Sequence, residues 1–206
     1  MGHRYHFTRD WFSSSIDQWR CLLAPIAGSP GLRFLEVGVY EGRATVWLLR
    51  NVLGHPSARL DCVDPFEWRV RDGRPAQSQM QDVKRRFHRN VEATGAPHKV
   101  RLIEARSEDA LCTLPARSYD CVYLDGSHRS ADVLSDAVLA FRLLKPSALL
   151  LFDDYGLAAS RGIPESLDDP KAGIDAFLHV YARRVEVVSA GYQVAIRRRR
   201  GDERVR

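Results

Sequence analysis

The sequence predicts an α/β fold: a doubly wound, mostly parallel sheet of seven strands that ends in an antiparallel hairpin. Three observations carry this. From Leu32 onward, short apolar runs alternate with segments of helical periodicity, the pattern of repeated βα units. Ala148–Phe152 is apolar at every position, as expected of a strand covered on both faces. Arg33–Val37 runs straight into Gly38-Val39-Tyr40-Glu41-Gly42 and then into a helical pattern from Arg43 to Leu53, a strand–turn–helix whose glycines let the backbone turn tightly and come close to a bound molecule.

The elements follow in order. Residues 1–30 read as an N-terminal helical appendage, in which Ser13–Ser15 cap a short helix carrying Ile16, Trp19 and Leu23. Arg33–Val37 is the first strand, and Ala58–Val63 is the second, after the breakers Gly54 and Pro56. Met80, Val83, Phe87 and Val91 mark an amphipathic helix that stops near Gly95-Ala96-Pro97. Lys99–Glu104 is a third strand, and Ser107-Glu108-Asp109 supplies a cap and an acidic first turn to a short helix. Tyr119–Leu124 is a fourth strand. Val133, Leu134, Val138, Phe141 and Leu144 trace a long helix halted by Pro146, ahead of the fifth strand Ala148–Phe152. Residues 155–169 are rich in Gly, Pro and Ser and read as a lid. Asp169-Pro170 opens a helix with Ile174, Phe177, Leu178 and Tyr181 on one face. Val185–Val188 and Tyr192–Ile196 flank Ala190-Gly191 as the closing hairpin. The main domain is thus residues 31–197, followed by a basic, disordered tail at 198–206.

The net charge is +5, but residues 197–206 alone carry +4 and leave the body near neutral. The run Arg197–Arg200 could touch phosphates, but it reads as a solvated, frayed terminus. Cys21, Cys62, Cys112 and Cys121 have no C-x-x-C spacing, which argues against a zinc site. Cys62 and Cys121 read as core residues, and His3 and His6 as exposed. No signal-peptide pattern and no membrane-length apolar run is visible, so the expected compartment is the cytoplasm.

The chemistry-bearing residues collect at strand ends. Glu36 and Asp64 close the first and second strands, Asp125 closes the fourth, and Asp153 and Asp154 close the fifth. Three carboxylates at neighbouring strand ends repel one another. A divalent cation removes that conflict, and oxygen-only ligands favour Mg²⁺. The alternative is that Asp125 caps a helix and Asp153-Asp154 form a turn. His128, three residues beyond Asp125, is placed to act as a general base, or else to serve as a helix-start residue.

Glu36-x-Gly38-x-x-x-Gly42 resembles the first motif of class I S-adenosylmethionine (SAM)-dependent methyltransferases, which have a Rossmann-like fold, and lacks the G-x-G-x-x-G of a dinucleotide loop. Leu124-Asp125-Gly126-Ser127-His128, Asp132-Val133, Asp136, Leu143-Leu144-Lys145-Pro146 and Phe152-Asp153-Asp154-Tyr155 are similar to metal-dependent O-methyltransferases of the macrocin and mycinose-pathway type. The resemblance covers residues 32–197. It departs at Ser147-Ala148, where that family often has two glycines, and in a short N-terminus, which bears on the substrate more than on the reaction. The resemblance implies SAM at Glu36, Gly38, Tyr40, Gly42, Asp64 (on the ribose), Ser107 and Glu108 (near adenine, or simply a helix cap) and Asp125. It also implies Mg²⁺ or another divalent cation on Asp125, Asp153 and Asp154, and His128 as base. The expected reaction is methyl transfer to a hydroxyl of a small molecule: a sugar, a natural product or a catechol-like acceptor. Trp11, Trp68 and Tyr155 are candidates for the acceptor pocket. A nucleic-acid methyltransferase using the Arg tail, and a non-catalytic SAM-binding protein, are the competing readings. Homo-oligomerisation is left open.

Overall fold

The computed structural model describes residues 5–67 and 77–201. Its strands are β1 (Arg33–Val37), β2 (Arg59–Val63), β3 (Val100–Ile103), β4 (Tyr119–Leu124), β5 (Leu144–Phe152), β6 (Val185–Ala190) and β7 (Val194–Arg198). They form a seven-stranded sheet in the order β3-β2-β1-β4-β5-β7-β6. Pairing is parallel for β2 with β3, β1 with β4, and β4 with β5, whereas β7 runs antiparallel to both β5 and β6. The sheet class and the terminal hairpin agree with the sequence reading. Strand order reverses between β1 and β4, the position at which open α/β sheets hold ligands beyond their carboxyl ends. The helices are α1 (Ile16–Leu23), α2 (Arg43–Asn51), α3 (Gln77–Ala93), α4 (Ser107–Thr113), α5 (Ser130–Leu143), α6 (Leu157–Ser160) and α7 (Pro170–Tyr181). Among the described residues, no helix is long and apolar enough to cross a membrane.

The chain forms two compact units. One comprises Met1–Leu32 and Val39–Ala105. Here α1 is integral, in place of the appendage expected. Trp19 and Leu23 are fully buried, and the Trp19 ring meets Phe12 edge-on at 4.8 Å and Trp47 at 5.7 Å. The serines make no cap bond; Asp10, just ahead of the N-terminal turn, accepts from the Ser13 N–H on Oδ1 at 2.9 Å. Met80, Val83, Phe87 and Val91 are all buried, as their spacing predicts. Glu41, 1% exposed, binds this unit together. It accepts hydrogen bonds from the backbone and hydroxyl of Thr8 at 2.6 and 2.7 Å, and it pairs with Arg86 Nε at 2.6 Å.

The other unit comprises Arg33–Gly38 and Arg106–Arg206. Its centre is β4 against β5, with α5 packed on α4 and α7. Phe141, Phe152, Phe177 and Tyr181 make a ring cluster, the closest pair being Phe177 and Tyr181 at 4.4 Å. Gly173 allows α7 to cross close to α5, since a Cβ there would lie 2.2 Å from the Ser130 carbonyl oxygen. Two expectations are corrected. Val138 is 40% exposed, and the buried stripe of α5 carries Val133, Asp136, Ala137, Ala140 and Phe141 instead. The Arg run also begins inside the fold. Arg198 is buried and donates to the Leu144 carbonyl at 2.7 Å, with its guanidinium over the Phe141 ring, and Arg199 Nε donates to the Val185 carbonyl at 2.9 Å. A planar guanidinium satisfies carbonyl lone pairs and stacks on aromatics at once, so these charges serve packing. Asp202 and Glu203 lie outside the described residues.

Candidate active site

In the first unit, the glycine loop is held by Asp64. Its Oδ2 accepts from the backbone N–H groups of Val39 at 2.9 Å and Tyr40 at 3.1 Å, and its Oδ1 accepts from Phe66 at 2.7 Å. Burial raises the Asp64 carboxyl above its ordinary range against these three bonds. The loop needs such an anchor, because Tyr40 is left-handed at φ 49° and Gly42 at φ 79°, and left-handed backbone is costly for a residue with a Cβ. At Gly42, a Cβ would stand 2.8 Å from the Phe87 ring. The Tyr40 ring packs against Trp11 in a tilted arrangement, centroids 4.9 Å apart.

Gly38, in the second unit, has φ 81°, and a Cβ on it would fall 1.9 Å from the Asp125 carbonyl oxygen. Its smallness is therefore also required by the neighbouring segment at Asp125, a reason beyond the tight turn and ligand approach expected from the sequence. Glu36 is buried on β1, in register with Tyr123 of β4.

At the carboxyl ends of β4 and β5, three predicted residues converge. The backbone ladder continues past the strands, with Asp125 N–H on the Val37 carbonyl at 2.8 Å and Asp153 N–H on the Leu124 carbonyl at 2.9 Å. Asp125, Asp153 and Asp154 each present an oxygen, all within 4.8 Å of one another. The Tyr123 hydroxyl lies between two of them, 3.0 Å from Asp125 Oδ2 and 2.9 Å from Asp153 Oδ2. One phenolic hydrogen cannot be donated to both carboxylates, so the pair is short of positive charge or of a proton. Burial, then the charges of Asp153 and Asp154, push Asp125 well above the usual carboxylate range. Burial and the Asp154 charge also raise Asp153. Tyr123 is driven well upward, first by burial and then by the two carboxylates, and it stays protonated.

Asp154 behaves differently. Burial would raise it, but hydrogen bonds from His128 and Tyr192 outweigh burial and hold it below its ordinary value. His128 Nε2 stands 2.6 Å from Asp154 Oδ2, with its side chain 57% exposed. The hydrogen bond to Asp154 raises the imidazole against the opposing effect of burial.

Ser107 and Glu108 open α4, whose N-cap is Arg106 with no side-chain cap bond, so the expected serine cap is absent. Instead, Ser107 hydrogen-bonds Asp136. A pocket beside the acidic cluster is lined by Asp125, Gly126, Ser127, Asp136, Asp153 and Asp154, among others. Tyr155 donates to Asp175 Oδ1 at 3.0 Å. His3 and Trp68 lie outside the described residues. Sequence reasoning missed the contributions of Tyr123, Tyr192, Gln193 and Asp136. Two signals were present: Gln193 is a polar residue directly before the apolar residues Val194, Ala195 and Ile196, and Asp136 interrupts the apolar stripe of a helix.

The family described as Methyltransferase domain matches residues 35–155. A "Putative O-methyltransferase" of Mycolicibacterium vanbaalenii is 25% identical over 162 residues, which is 79% of this chain and 63% of its own length. A protein of the same name from Mycobacterium sp. (strain JLS) is 28% identical over 128 residues, 62% of this chain and 50% of its own length. The chain therefore spans only about half to three fifths of these curated relatives. The solved O-methyltransferase TomG of Streptomyces achromogenes, involved in tomaymycin synthesis and in complex with SAM, aligns at a TM-score of 0.66 and 20% identity, over 89% of this chain and 80% of its own. At that identity, the likeness is one of fold.

Proposed function

The chain belongs to the methyltransferase-domain family, and from that premise we propose that it is a SAM-dependent O-methyltransferase acting on a hydroxyl group of a small molecule. The observation that carries the reading is the convergence of Asp125, Asp153, Asp154 and His128 at the strand ends beside the β1/β4 reversal. SAM supplies an electrophilic methyl group. The residues assigned to it are Glu36, Gly38, Tyr40, Gly42, Asp64, Ser107, Glu108 and Asp125.

The acidic cluster suits a hard divalent cation. Its donors are all oxygens, and their mutual separations within 4.8 Å approach those around an octahedral Mg²⁺, about 3 Å in cis and about 4 Å in trans. The proton shortage at Tyr123 is of the kind a cation relieves. Asp125, Asp153 and Asp154 would hold the ion, which when bound supplies a positive charge that acidifies an acceptor hydroxyl. His128 takes the hydroxyl proton on Nδ1, the ring nitrogen not bonded to Asp154. Asp154 orients the imidazole through the 2.6 Å bond, and the rigid strand ends fix the alignment of donor and acceptor. The finer likeness of Leu124–His128 and Phe152–Tyr155 to macrocin- and mycinose-type enzymes points to a sugar, natural-product or catechol-like acceptor. The engagement of Arg198 and Arg199 inside the fold supports a small acceptor over a nucleic acid.

The test is twofold. Calorimetry should detect SAM binding with or without chelator. Turnover on a panel of hydroxylated acceptors should stop with EDTA and return with Mg²⁺. Tight binding of NAD in place of SAM would overturn the assignment, and full turnover in chelator would remove the metal from it.

A further inference from the structure

The β6–β7 hairpin carries two side chains that the mechanism above does not use. Phe152 of β5 pairs antiparallel with Val194 of β7. Continuing that register past the strand end sets Gln193 beside Asp153, and Tyr192 beside Asp154. The contacts follow this order. Gln193 Nε2 donates to Asp153 Oδ1 at 2.9 Å and lies 3.4 Å from the Tyr123 hydroxyl. The Tyr192 hydroxyl donates to Asp154 Oδ1 at 2.5 Å. Gln193 is fully buried, and Tyr192 is 37% exposed. Asp154 itself is left-handed, at φ 58°, so its carboxylate is aimed by a backbone conformation that costs energy.

We propose that Tyr192 and Gln193 are positioning residues that hold Asp154 and Asp153 in the arrangement a divalent cation requires. The proposal rests on the metal reading of the acidic cluster. A carboxylate free to rotate must give up rotamer freedom when it binds an ion. Here each of these two carboxylates has one oxygen committed to a hairpin donor. For Asp153, the other oxygen faces Tyr123 and the cluster. For Asp154, it faces His128. Both donors are neutral, so they orient the carboxylates without cancelling the charge that attracts the ion. Partners of this kind typically change metal affinity by about 10- to 100-fold. The design also explains why a buried glutamine directly precedes the apolar residues Val194, Ala195 and Ile196 of β7, since an unpaired amide there would be costly.

The experiment is Mn²⁺ binding to the full chain, followed by calorimetry and by the ion's electron paramagnetic resonance. The proteins compared are wild type, Gln193→Met, Tyr192→Phe and the control Val187→Thr, which alters an exposed residue of the same hairpin. Gln193→Met keeps length and removes the donor. Tyr192→Phe removes one hydroxyl from a part-exposed ring and should fold. The expected result is a dissociation constant raised about 10- to 100-fold in each, with SAM affinity unchanged and Val187→Thr like wild type. Wild-type protein that takes up no Mn²⁺ would overturn the metal reading, and the clamp with it. Wild type that binds, with Tyr192→Phe and any folded Gln193→Met within twofold of it, would overturn the clamp alone. If Gln193→Met does not fold, Tyr192→Phe decides the matter.

Discussion

His128 Nε2 lies 2.6 Å from Asp154 Oδ2, while Tyr192 donates to the opposite oxygen of the same carboxylate. Asp154 therefore stands apart from its neighbours: its carboxyl is held low, while those of Asp125 and Asp153 are pushed up. A low carboxylate beside a raised imidazole is an ion pair that is complete when His128 is protonated. In the proposed mechanism, the pair that orients His128 as the base also withholds it.

The first prediction follows from that tension. The His128 imidazole should titrate above its ordinary value in the free protein, and Asp154→Asn should bring it down. A raised histidine contributes stability that is present below its unfolded pKa and is lost as pH rises through the folded one. Turnover should move the other way, rising with pH as His128 loses its proton, and His128→Ala should cost about 10²- to 10⁴-fold at neutral pH. Proton NMR of the His128 ring across pH is the check. A titration at or below that of a free imidazole would mean the pair does not persist in solution.

Gly38 gives a second prediction. Its φ is 81°, and an added methyl would come within 1.9 Å of the Asp125 carbonyl oxygen, so Gly38→Ala makes a backbone collision between β1 and the chain that leaves β4. The expected loss is at least ~3 kcal/mol, combining strain and clash. Gly95→Ala shares the left-handed backbone but meets nothing within 4 Å, and it should cost only about 1–2 kcal/mol. Urea denaturation of the two variants should separate them, and equal losses would show that conformation alone sets the cost at Gly38.

Buried ion-pair energetics supply a third. Glu41 is 1% exposed and pairs with Arg86. Among the described residues, Arg86→Ala would leave the carboxylate with the Thr8 donors alone, at a cost of about 3–5 kcal/mol. Thr8→Val in the Arg86→Ala background should then cost more than it does alone, because the two partners share one carboxylate. A double-mutant cycle by thermal denaturation measures this, and strict additivity would count against the shared site.

Much of this arrangement was legible in the chain. The 3- and 4-residue spacing of Met80, Val83, Phe87 and Val91 fixes a buried face whatever the tertiary context. The convergence of Asp125, Asp153 and Asp154 follows once their strands are neighbours. What the sequence concealed depends on register and long-range pairing. Gln193 reaches Asp153 only because β7 inserts antiparallel beside β5, and a one-residue slip would turn it to the other face. Arg198 looked like a solvated tail because local charge says nothing about an aromatic ring and two carbonyls waiting at Phe141 and Leu144. Trp19 looked peripheral because its partners, Phe12 and Trp47, lie on separate segments.

Asp136 carries the last prediction. It is 4% exposed on the buried stripe of α5. Burial, with added repulsion from Asp132 and Glu108 and partial relief from the Ser107 hydroxyl, raises its carboxyl from 3.8 to about 6. The direction is opposite to that of a salt-bridged aspartate. Between about pH 4 and pH 6, the folded chain holds a proton here that the unfolded chain has released, so stability from this group falls as pH rises through that window. Above about pH 6 the full penalty is present, at most about 3 kcal/mol from the size of the shift. Asp136→Asn keeps the shape and the acceptor for Ser107 but cannot ionise. It should therefore be more stable than wild type at pH 8 by about 1–3 kcal/mol, and it should lose that advantage progressively as pH falls toward 4. Urea denaturation of both proteins at pH 4, 6 and 8 measures the difference. A constant difference across pH would show that Asp136 does not titrate in this range, and a variant less stable at pH 8 would show that the ionised carboxylate is itself a favourable part of the pocket beside Asp125.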